Sequence, residues 1–320
     1  MGFASACRQA LHGWRRAVAC YAIALVPVAG LGELAAQIYV SRRAPSFASW
    51  QQIAAPVAAL RQRDDLVVVA PRWAEPMARQ VIGDEQLTMA DLGRPDVSRY
   101  RTALEISILG ERAPELAGWQ ELSRETHGKF QFRRLENPNA RPVLLDFVDA
   151  LSPERVSVST GLEASPCPWT DHAIVVAGGL GGHPTFPASR FQCPQGTFFN
   201  VGVTVIADET FLPRRCLWAH PPQRGELVIR YENVNLGDVI AGHGGMYWII
   251  ERELGGASVT LGVRVNGAPL GELVHNDGDG WAAFEMPLGA QAHARAAVVE
   301  FAVSSPNYQH RHFCFEAVTR

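Results

Sequence analysis

The sequence predicts an α/β part followed by an all-β part, behind a single N-terminal transmembrane helix. Three observations predict this order. A nearly uncharged stretch lies between Arg16 and Arg42, helix and strand patterns alternate between Ser46 and Ala150, and short β-rich runs between turn residues fill the remainder. The expected parts are a cytoplasmic stub with a signal anchor (1–44), a small α/β domain with a mainly parallel sheet (45–150) and a β-sandwich of the jelly-roll type (151–320).

The N-terminal stretch carries one charged residue, Glu33, and as a helix it is long enough to cross a hydrocarbon core about 30 Å thick. Arginines cluster before it, so the positive-inside rule places the N-terminus in the cytoplasm. We expect a single-pass protein of the inner (cytoplasmic) membrane whose C-terminal domains are extracytoplasmic. A cleaved signal peptide is the alternative, because Val18 to Val28 alone is typical of its apolar region and Gly30 to Gly32 provides small residues at a cleavage spacing.

Charge and cysteine placement narrow the function further. A net charge of −3 provides no basic surface for nucleic acid, and we expect no nucleic-acid partner. In a translocated domain, an even set of cysteines permits two disulfides, and the sequence leaves three pairings open. The set consists of Cys167, Cys193, Cys216 and Cys314. Neither CxxC nor HxxxH spacing occurs, so we expect no zinc site and no cofactor.

The α/β part begins with a helix that Ser46 caps and whose apolar residues recur at helical spacing. The continuous apolar run Leu66–Ala70 predicts a strand covered on both faces, and Trp73–Ile82 predicts a crossover helix. Further strands are predicted at Ala103–Leu109, Lys129–Leu135 and Val143–Val148. Because helices lie between the strands, we expect a parallel core.

A second candidate surface lies after the first of these strands, where such sheets bind ligands. It consists of Arg72, Trp73 and Glu75. No GxGxxG or GxxxxGK[ST] sequence follows the strand, so phosphate binding by a glycine loop is not supported. Either these residues contact a sugar or a lipid headgroup near the membrane, or Trp73 packs and the charges are solvated.

The α/β part resembles a known family of membrane enzymes. The runs Asp64–Trp73, Ala103–Gly110 and Leu135–Pro138 are similar to the extracytoplasmic C-terminal portion of bacterial dolichyl-phosphate-mannose-type glycosyltransferases, a resemblance that covers about residues 25–148. Those enzymes need many membrane helices and an acidic residue in the first external loop, which this chain lacks. The resemblance therefore implies an envelope-glycan context, with a glycosyltransferase as possible partner, and not catalysis.

From about Glu154, short β-rich runs alternate with turn residues, which predicts a sandwich closed as a jelly roll. The dipeptide Asn266-Gly267 predicts a tight hairpin. The candidate strands are Val156–Val158, Ala173–Ala177, Phe199–Val205, Leu227–Tyr231, Met246–Ile250, Val259–Val265, Trp281–Phe284, Val298–Val303 and His312–Ala317.

The C-terminal half also resembles galactose-binding-like jelly rolls. The matching segments are Gly225–Tyr231, Val263–Gly267 with Leu270–Leu273, Gly280–Phe284, Phe301–Ser305 and Arg311–Phe315. This resemblance implies the sandwich fold and, as an expectation, carbohydrate binding, although many members of that fold bind no sugar.

Aromatic and imidazole side chains in this half are the candidate carbohydrate ligands, because rings stack on pyranose faces and imidazoles bind hydroxyls. They are Trp218, His220, His243, Tyr247, Trp248, His310 and His312. Strand alternation places His310 and His312 on one face. The alternative is that the large rings fill the sandwich core.

One acidic turn is a candidate calcium site, with Asn276, Asp277 and Asp279 as oxygen ligands. A hydrated turn explains it as well, since Asn, Asp and Gly dominate turns and the EF-hand spacing is absent. We otherwise expect no metal.

No GxSxG, HExxH or paired-carboxylate motif occurs, so we name no catalytic residue and predict a non-catalytic protein. The sequence favours a membrane-anchored protein of the cell envelope that binds glycan or assists glycan assembly. Two alternatives stay open: a structural interaction module without a sugar ligand, and a hydrolase or transferase acting on polysaccharide.

Overall fold

The computed structural model describes residues 25, 27–176, 178, 183–253 and 255–320. The cytoplasmic stub and much of the predicted anchor therefore lie outside the described residues. Helix α1 covers 27–43 and is exposed along its length. Within the described ranges, no helix combines the length and the apolar character needed to cross a membrane. The anchor stays a prediction.

The α/β part contains one four-stranded sheet in the order β1-β2-β4-β3. Its elements are α2 (Phe47–Gln51), α3 (Ala54–Leu60), β1 (Asp65–Ala70), α4 (Glu75–Ile82), α5 (Met89–Leu92), β2 (Thr102–Ile108), β3 (Gln120–His127) and β4 (Phe130–Glu136). Ser46 caps α2 as predicted, its hydroxyl accepting from the Ser49 amide at 3.2 Å. One face of the sheet buries Val67, Leu104 and Ile106 against Trp50 of α2.

The expectation of a mainly parallel sheet was wrong. Only β1 and β2 run parallel, whereas β4 pairs antiparallel with both β2 and β3. The reason is β3, which the sequence pattern did not predict because all eight of its residues are exposed and show no apolar alternation. Two residues connect β3 to β4, and a connection that short joins only antiparallel strands.

The second half is the predicted β-sandwich. Its first elements are β5 (Leu145–Asp146), β6 (Val156–Gly161), β7 (Ser165–Pro166), β8 (Trp169–Thr170), β9 (Arg190–Gln192), β10 (Asn200–Val201), β11 (Val203–Ala207) and β12 (Pro213–Trp218). The others are β13 (Glu226–Val234), β14 (Val239–Met246), α6 (Trp248–Glu251), β15 (Val259–Val265), β16 (Ala268–His275), β17 (Ala282–Pro287), β18 (Ala297–Ser304) and β19 (Phe313–Thr319).

Two antiparallel sheets form the layers of the sandwich. One has the order β11-β12-β19-β14-β17 with β5 beside β19, and the other has the order β16-β15-β18-β13-β6-β7; β8, β9 and β10 form a small third sheet. A single core lies between the layers, with Tyr231 and Phe301 from one sheet and Phe315 from the other. The Asn266-Gly267 hairpin is confirmed, because Val265 pairs with Ala268 and both turn residues have positive φ.

Four predicted strands differ from the structure, and one of them, Phe199–Val205, divides into β10 and β11 in two different sheets. The run Val143–Val148 yields only the two residues of β5, which pair with β19 of the sandwich and not with the N-terminal sheet. In Ala173–Ala177 there is one isolated bridge, from Val176 to Phe186, and residue 177 lies outside the described residues. The run Met246–Ile250 leaves β14 and turns into α6, because the Tyr247 carbonyl accepts from the Ile250 and Glu251 amides.

Both predicted disulfides are confirmed, and the structure selects one of the three pairings. Cys167 bonds to Cys193, and Cys216 bonds to Cys314. The second bond joins the neighbouring strands β12 and β19 inside the fold, and all four cysteines are buried.

Candidate functional site

An aromatic pocket of about 650 Å³ lies at one end of the sandwich. Strands β12 and β14 end there and β19 begins there, as the pairing of Met246 with Phe313 shows. The loops that leave these strands meet around the pocket. Its lining consists of Phe198, Phe199, His220, Ile249, Ile250, Glu253, Tyr308, Gln309, His310 and His312.

Rings contact one another around the wall of this pocket. The Phe199 ring lies 4.9 Å from the His220 ring and 6.0 Å from the Tyr308 ring, measured between centroids. Phe198 stacks on His312 at 5.4 Å with nearly parallel planes. The result is a continuous surface of ring faces and edges.

Trp218 supports the pocket from the core. Its side chain is fully buried, its Nε1 donates to the Phe198 carbonyl oxygen at 2.7 Å, and its ring lies 5.4 Å from that of His312. A ring without exposed surface offers no face to a ligand. Trp218 is therefore not the stacking platform that the sequence suggested; it fixes the loop that carries Phe198.

Two of the predicted histidines are neutral groups of the pocket. Burial lowers the pKa of His220 to about 4, and its Nδ1 lies 2.9 Å from the Pro221 carbonyl oxygen, which fixes Nδ1 as the protonated nitrogen. Burial, together with repulsion from nearby histidines, lowers the pKa of His312 to about 3. The shielded Nδ1 of His312 has no hydrogen-bond partner among the described residues.

His310 is the exposed histidine of the pocket. Its Nδ1 lies 2.9 Å from Glu253 Oε2, and its φ of 54° belongs to the left-handed region. Since β19 begins only at Phe313, His310 and His312 lie in the loop before the strand and not on one strand face. The loop nevertheless brings both to the same pocket.

His243 lies elsewhere. Its Nδ1 is 2.6 Å from Glu316 Oε1 on the paired strand β19. The pair faces a cleft of about 580 Å³ between the sandwich and the segment 94–99, where Arg94, Arg99 and Arg320 also lie. Neither His243 nor Glu316 lines the aromatic pocket.

Tyr247 and Trp248 lie in a third place. Tyr247 is buried, and Trp248 packs against Phe211, 5.1 Å away between ring centroids. The Arg252 guanidinium covers both rings, 5.3 Å from Trp248 and 4.7 Å from Phe211. The seven predicted residues thus separate into three groups, and the pocket holds three of them.

Sequence reasoning missed two rings of the pocket, Phe198 and Phe199. A signal existed for Phe198, because it lies in the turn-rich stretch before the predicted strand Phe199–Val205, where no strand or helix pattern would bury it. Phe198 is indeed 36% exposed.

Arg72 and Glu75 of the second candidate surface line one pocket of about 290 Å³, whereas Trp73 is not part of its lining. Glu75 binds Arg79 at 2.7 Å, and Arg72 reaches Glu115 at 3.4 Å. Trp73 is 66% exposed, so the interpretation that it packs into the fold was wrong.

The acidic turn is held by its own neighbours. Asp277 accepts from Arg311 at 2.5 Å and from the Gly256 amide at 2.6 Å, and Asp279 accepts from the Asn276 amide at 2.8 Å. These bonds occupy the oxygens that a calcium ion would need, which supports the turn interpretation. In the described part of the chain, no three His, Cys, Asp or Glu residues are grouped so that they could hold a metal ion.

No protein-family model and no curated protein matches the sequence. Solved structures that match include CBM51-2 with the INT domains of Clostridium perfringens ZmpB, at 12% identity and a TM-score of 0.28 over 37% of this chain and 26% of that one. A CBM51 from Clostridium perfringens GH95 in complex with methyl-galactose matches at 13% identity and a TM-score of 0.31, over 55% and 99%. These TM-scores are too low to establish a shared fold or ligand.

Proposed function

We propose that this chain binds carbohydrate through the aromatic pocket. The observation that carries the proposal is the combination of ring surfaces with neutral imidazoles in one open pocket. At about 650 Å³ the pocket lies within the range of roughly 300–1,000 Å³ typical of small-ligand sites.

The chemistry of the lining suits a sugar. A pyranose presents C–H groups on one face and hydroxyls around its rim, so it needs an apolar ring beneath and hydrogen-bonding groups beside it. Tyr308 and Phe199 supply ring surface. A neutral imidazole provides one donor and one acceptor, which matches a hydroxyl.

The same lining favours binding over hydrolysis. Glycoside hydrolysis generally uses two carboxyl groups that flank the scissile bond. Among the described residues that line the pocket, Glu253 is the only carboxylate, and it is engaged with His310. We therefore propose a binding protein and not an enzyme.

We further propose that the protein works in the cell envelope, attached to the membrane by its N-terminus. The nearly uncharged segment before Arg42 and the two disulfides, which persist in oxidising compartments, support this location. Carbonate extraction of membranes that carry the full-length chain should leave it in the pellet. Release of a shortened, soluble chain would show a cleaved signal instead.

Binding is tested with the full-length chain on a glycan array. Tyr308→Ala, which removes a ring that is partly exposed in the pocket, should lower retention roughly five- to thirtyfold, since a stacked ring contributes on the order of 1–2 kcal/mol. The matched control is Trp73→Ala, which removes an exposed ring outside the pocket. Equal loss in both variants, or no retention of any glycan by the parent chain, would leave the protein as an interaction module. Thermal melts verify that both variants fold.

A further inference from the structure

The aromatic pocket contains no available cation among its described lining residues. Glu253 is the only formally charged residue of the lining at neutral pH, and its carboxylate is 39% exposed. The other lining side chains are apolar, amide, phenol or imidazole groups. A negatively charged ligand would therefore enter a pocket that itself carries a negative charge.

Arg311 is the arginine nearest in sequence to the pocket loop, but its side chain is buried in the fold. Its side chain is 2% exposed, and its Nη1 donates to Asp277 Oδ1 and to the Ala257 carbonyl oxygen. A Cβ on Gly256 would lie 2.0 Å from Arg311 Nη2, so this glycine leaves the space in which the guanidinium is enclosed. The guanidinium pairs with Asp277 inside the fold, so its hydrogen-bond donors do not reach a ligand, although its charge contributes to lowering the pKa values of His220 and His312.

The histidines do not replace the missing cation. His220 and His312 are held in apolar surroundings that disfavour the imidazolium form, and they lie 5.7 Å apart between ring centroids, where two positive charges would repel. His310 is exposed, and its Nδ1 lies 2.9 Å from Glu253 Oε2.

We infer that the pocket selects uncharged sugars and rejects acidic ones such as uronic acids, an inference that rests on the proposed carbohydrate binding. A sugar carboxylate in the pocket would lose part of its hydration and find no cation to compensate it. It would also lie near the Glu253 carboxylate, and like charges brought together in a partly desolvated site repel. An uncharged hexose carries neither cost.

The test compares matched ligands on the full-length chain, pairing galactose-, glucose- and mannose-terminated glycans with the corresponding uronic acids. We expect each neutral glycan to bind at least about tenfold more tightly than its acidic counterpart. Because exposed charges are screened by salt, raising the ionic strength from about 0.05 to 0.5 M should narrow this ratio. A ratio that is independent of salt would show that the Glu253 carboxylate exerts no repulsion on the ligand and would overturn the electrostatic inference.

Two variants make the test specific. Glu253→Gln should narrow the ratio of neutral to acidic affinity several-fold, and Gln309→Arg should let uronic acids bind. The control Glu285→Gln removes an exposed carboxylate from the other cleft and should change nothing. Equal or tighter binding of uronic acids by the parent chain would overturn this inference and leave the proposed function standing. Retention of neither class would instead contradict the proposed function.

Discussion

Near the aromatic pocket, the position that a loop gives to a side chain determines whether that side chain is buried or reaches the pocket. Trp218 and His312 both lie close to the same loop, yet Trp218 is fully buried and His312 reaches the pocket. Residue type alone predicted that aromatic and imidazole groups would matter here. It could not predict which of them reach the surface, because their exposure depends on where β12 ends and β19 begins.

The buried histidines predict a dependence of stability on pH. The pKa of His220 is about 4 in the folded chain and about 6.5 when unfolded, so the unfolded chain binds more protons between these values. The contribution of neutral His220 to the free energy of unfolding is fully present above pH 6.5 and is lost as the pH falls through 4. Relative to His220→Asn, the parent should lose roughly 2–3 kcal/mol of unfolding free energy between pH 7.5 and 4.5.

Denaturant titrations of both chains at the two pH values measure this difference. Carboxylates common to the two chains contribute equally and cancel. His243→Asn is the control, since this histidine lies beside Glu316 in the other cleft. Parallel loss of stability in the parent and in His220→Asn would contradict the prediction.

At the scale of elements, the sequence predicts those strands whose own residues alternate between buried and partly exposed positions. β15 was predicted with its observed bounds because its burial alternates along the whole strand and Asn266-Gly267 follows it. β14 was missed although it lies in the middle of its sheet, between β19 and β17. Its stretch AGHGGM lacks the β-branched and aromatic residues typical of strands. Glycine is needed in this strand because residues that are distant in sequence approach its backbone closely.

Gly242 shows this need most directly. A Cβ at this position would lie 2.0 Å from the Glu316 carbonyl oxygen and 2.8 Å from the Ala317 Cα, both in the paired strand β19. Backbone cannot move aside as a side chain does, so Gly242→Ala should separate the strands and cost at least about 2 kcal/mol of unfolding free energy. Gly262→Ala in β15 is the control, because its nearest contact would be 3.8 Å. Equal stability of the two variants in denaturant titrations would contradict the prediction.

The two disulfides close loops of different length, 26 and 98 residues in sequence separation. If they act mainly by restricting the unfolded chain, the longer loop stabilises by about 1 kcal/mol more than the shorter one. We expect Cys216→Ala/Cys314→Ala to lose more unfolding free energy than Cys167→Ala/Cys193→Ala by about this amount. Denaturant titrations of both double variants measure the difference, and a larger loss from the shorter loop would show that local packing dominates.

At the scale of the whole molecule, ion pairs connect the α/β part to the sandwich. Asp146 of β5 accepts from Arg99 at 2.6 Å and from Arg94 at 3.2 Å, and Arg94 also binds Asp149 at 2.7 Å. A backbone hydrogen bond also connects the two parts, since the Arg215 amide of β12 donates to the Gly93 carbonyl oxygen. No sequence pattern predicted these pairs, since arginines and aspartates are spread along the chain and only the fold brings them together.

Asp146 is the residue at which this connection is most vulnerable. Burial by itself raises the pKa of its carboxyl, but the hydrogen bond from Arg99 and the charges of Arg94 and Arg99 outweigh burial and hold the pKa below its usual value. Its contribution to stability is therefore present above the ordinary pKa of an aspartate and is lost as the pH falls below that range. Asp146→Asn keeps the shape and removes the charge, leaving two partly buried guanidinium groups with less compensation.

We expect Asp146→Asn to cost about 2–4 kcal/mol of unfolding free energy at neutral pH, as breaking a buried ion pair does. It should also speed limited proteolysis between the α/β part and the sandwich, because the segment that carries Arg94 and Arg99 loses its anchor on β5. The matched control is Glu285→Gln, which removes the exposed pair with Arg141 at 3.3 Å and should cost less than about 1 kcal/mol. Equal effects of the two variants would mean that the connection depends on packing and backbone hydrogen bonds, with the ion pairs contributing little.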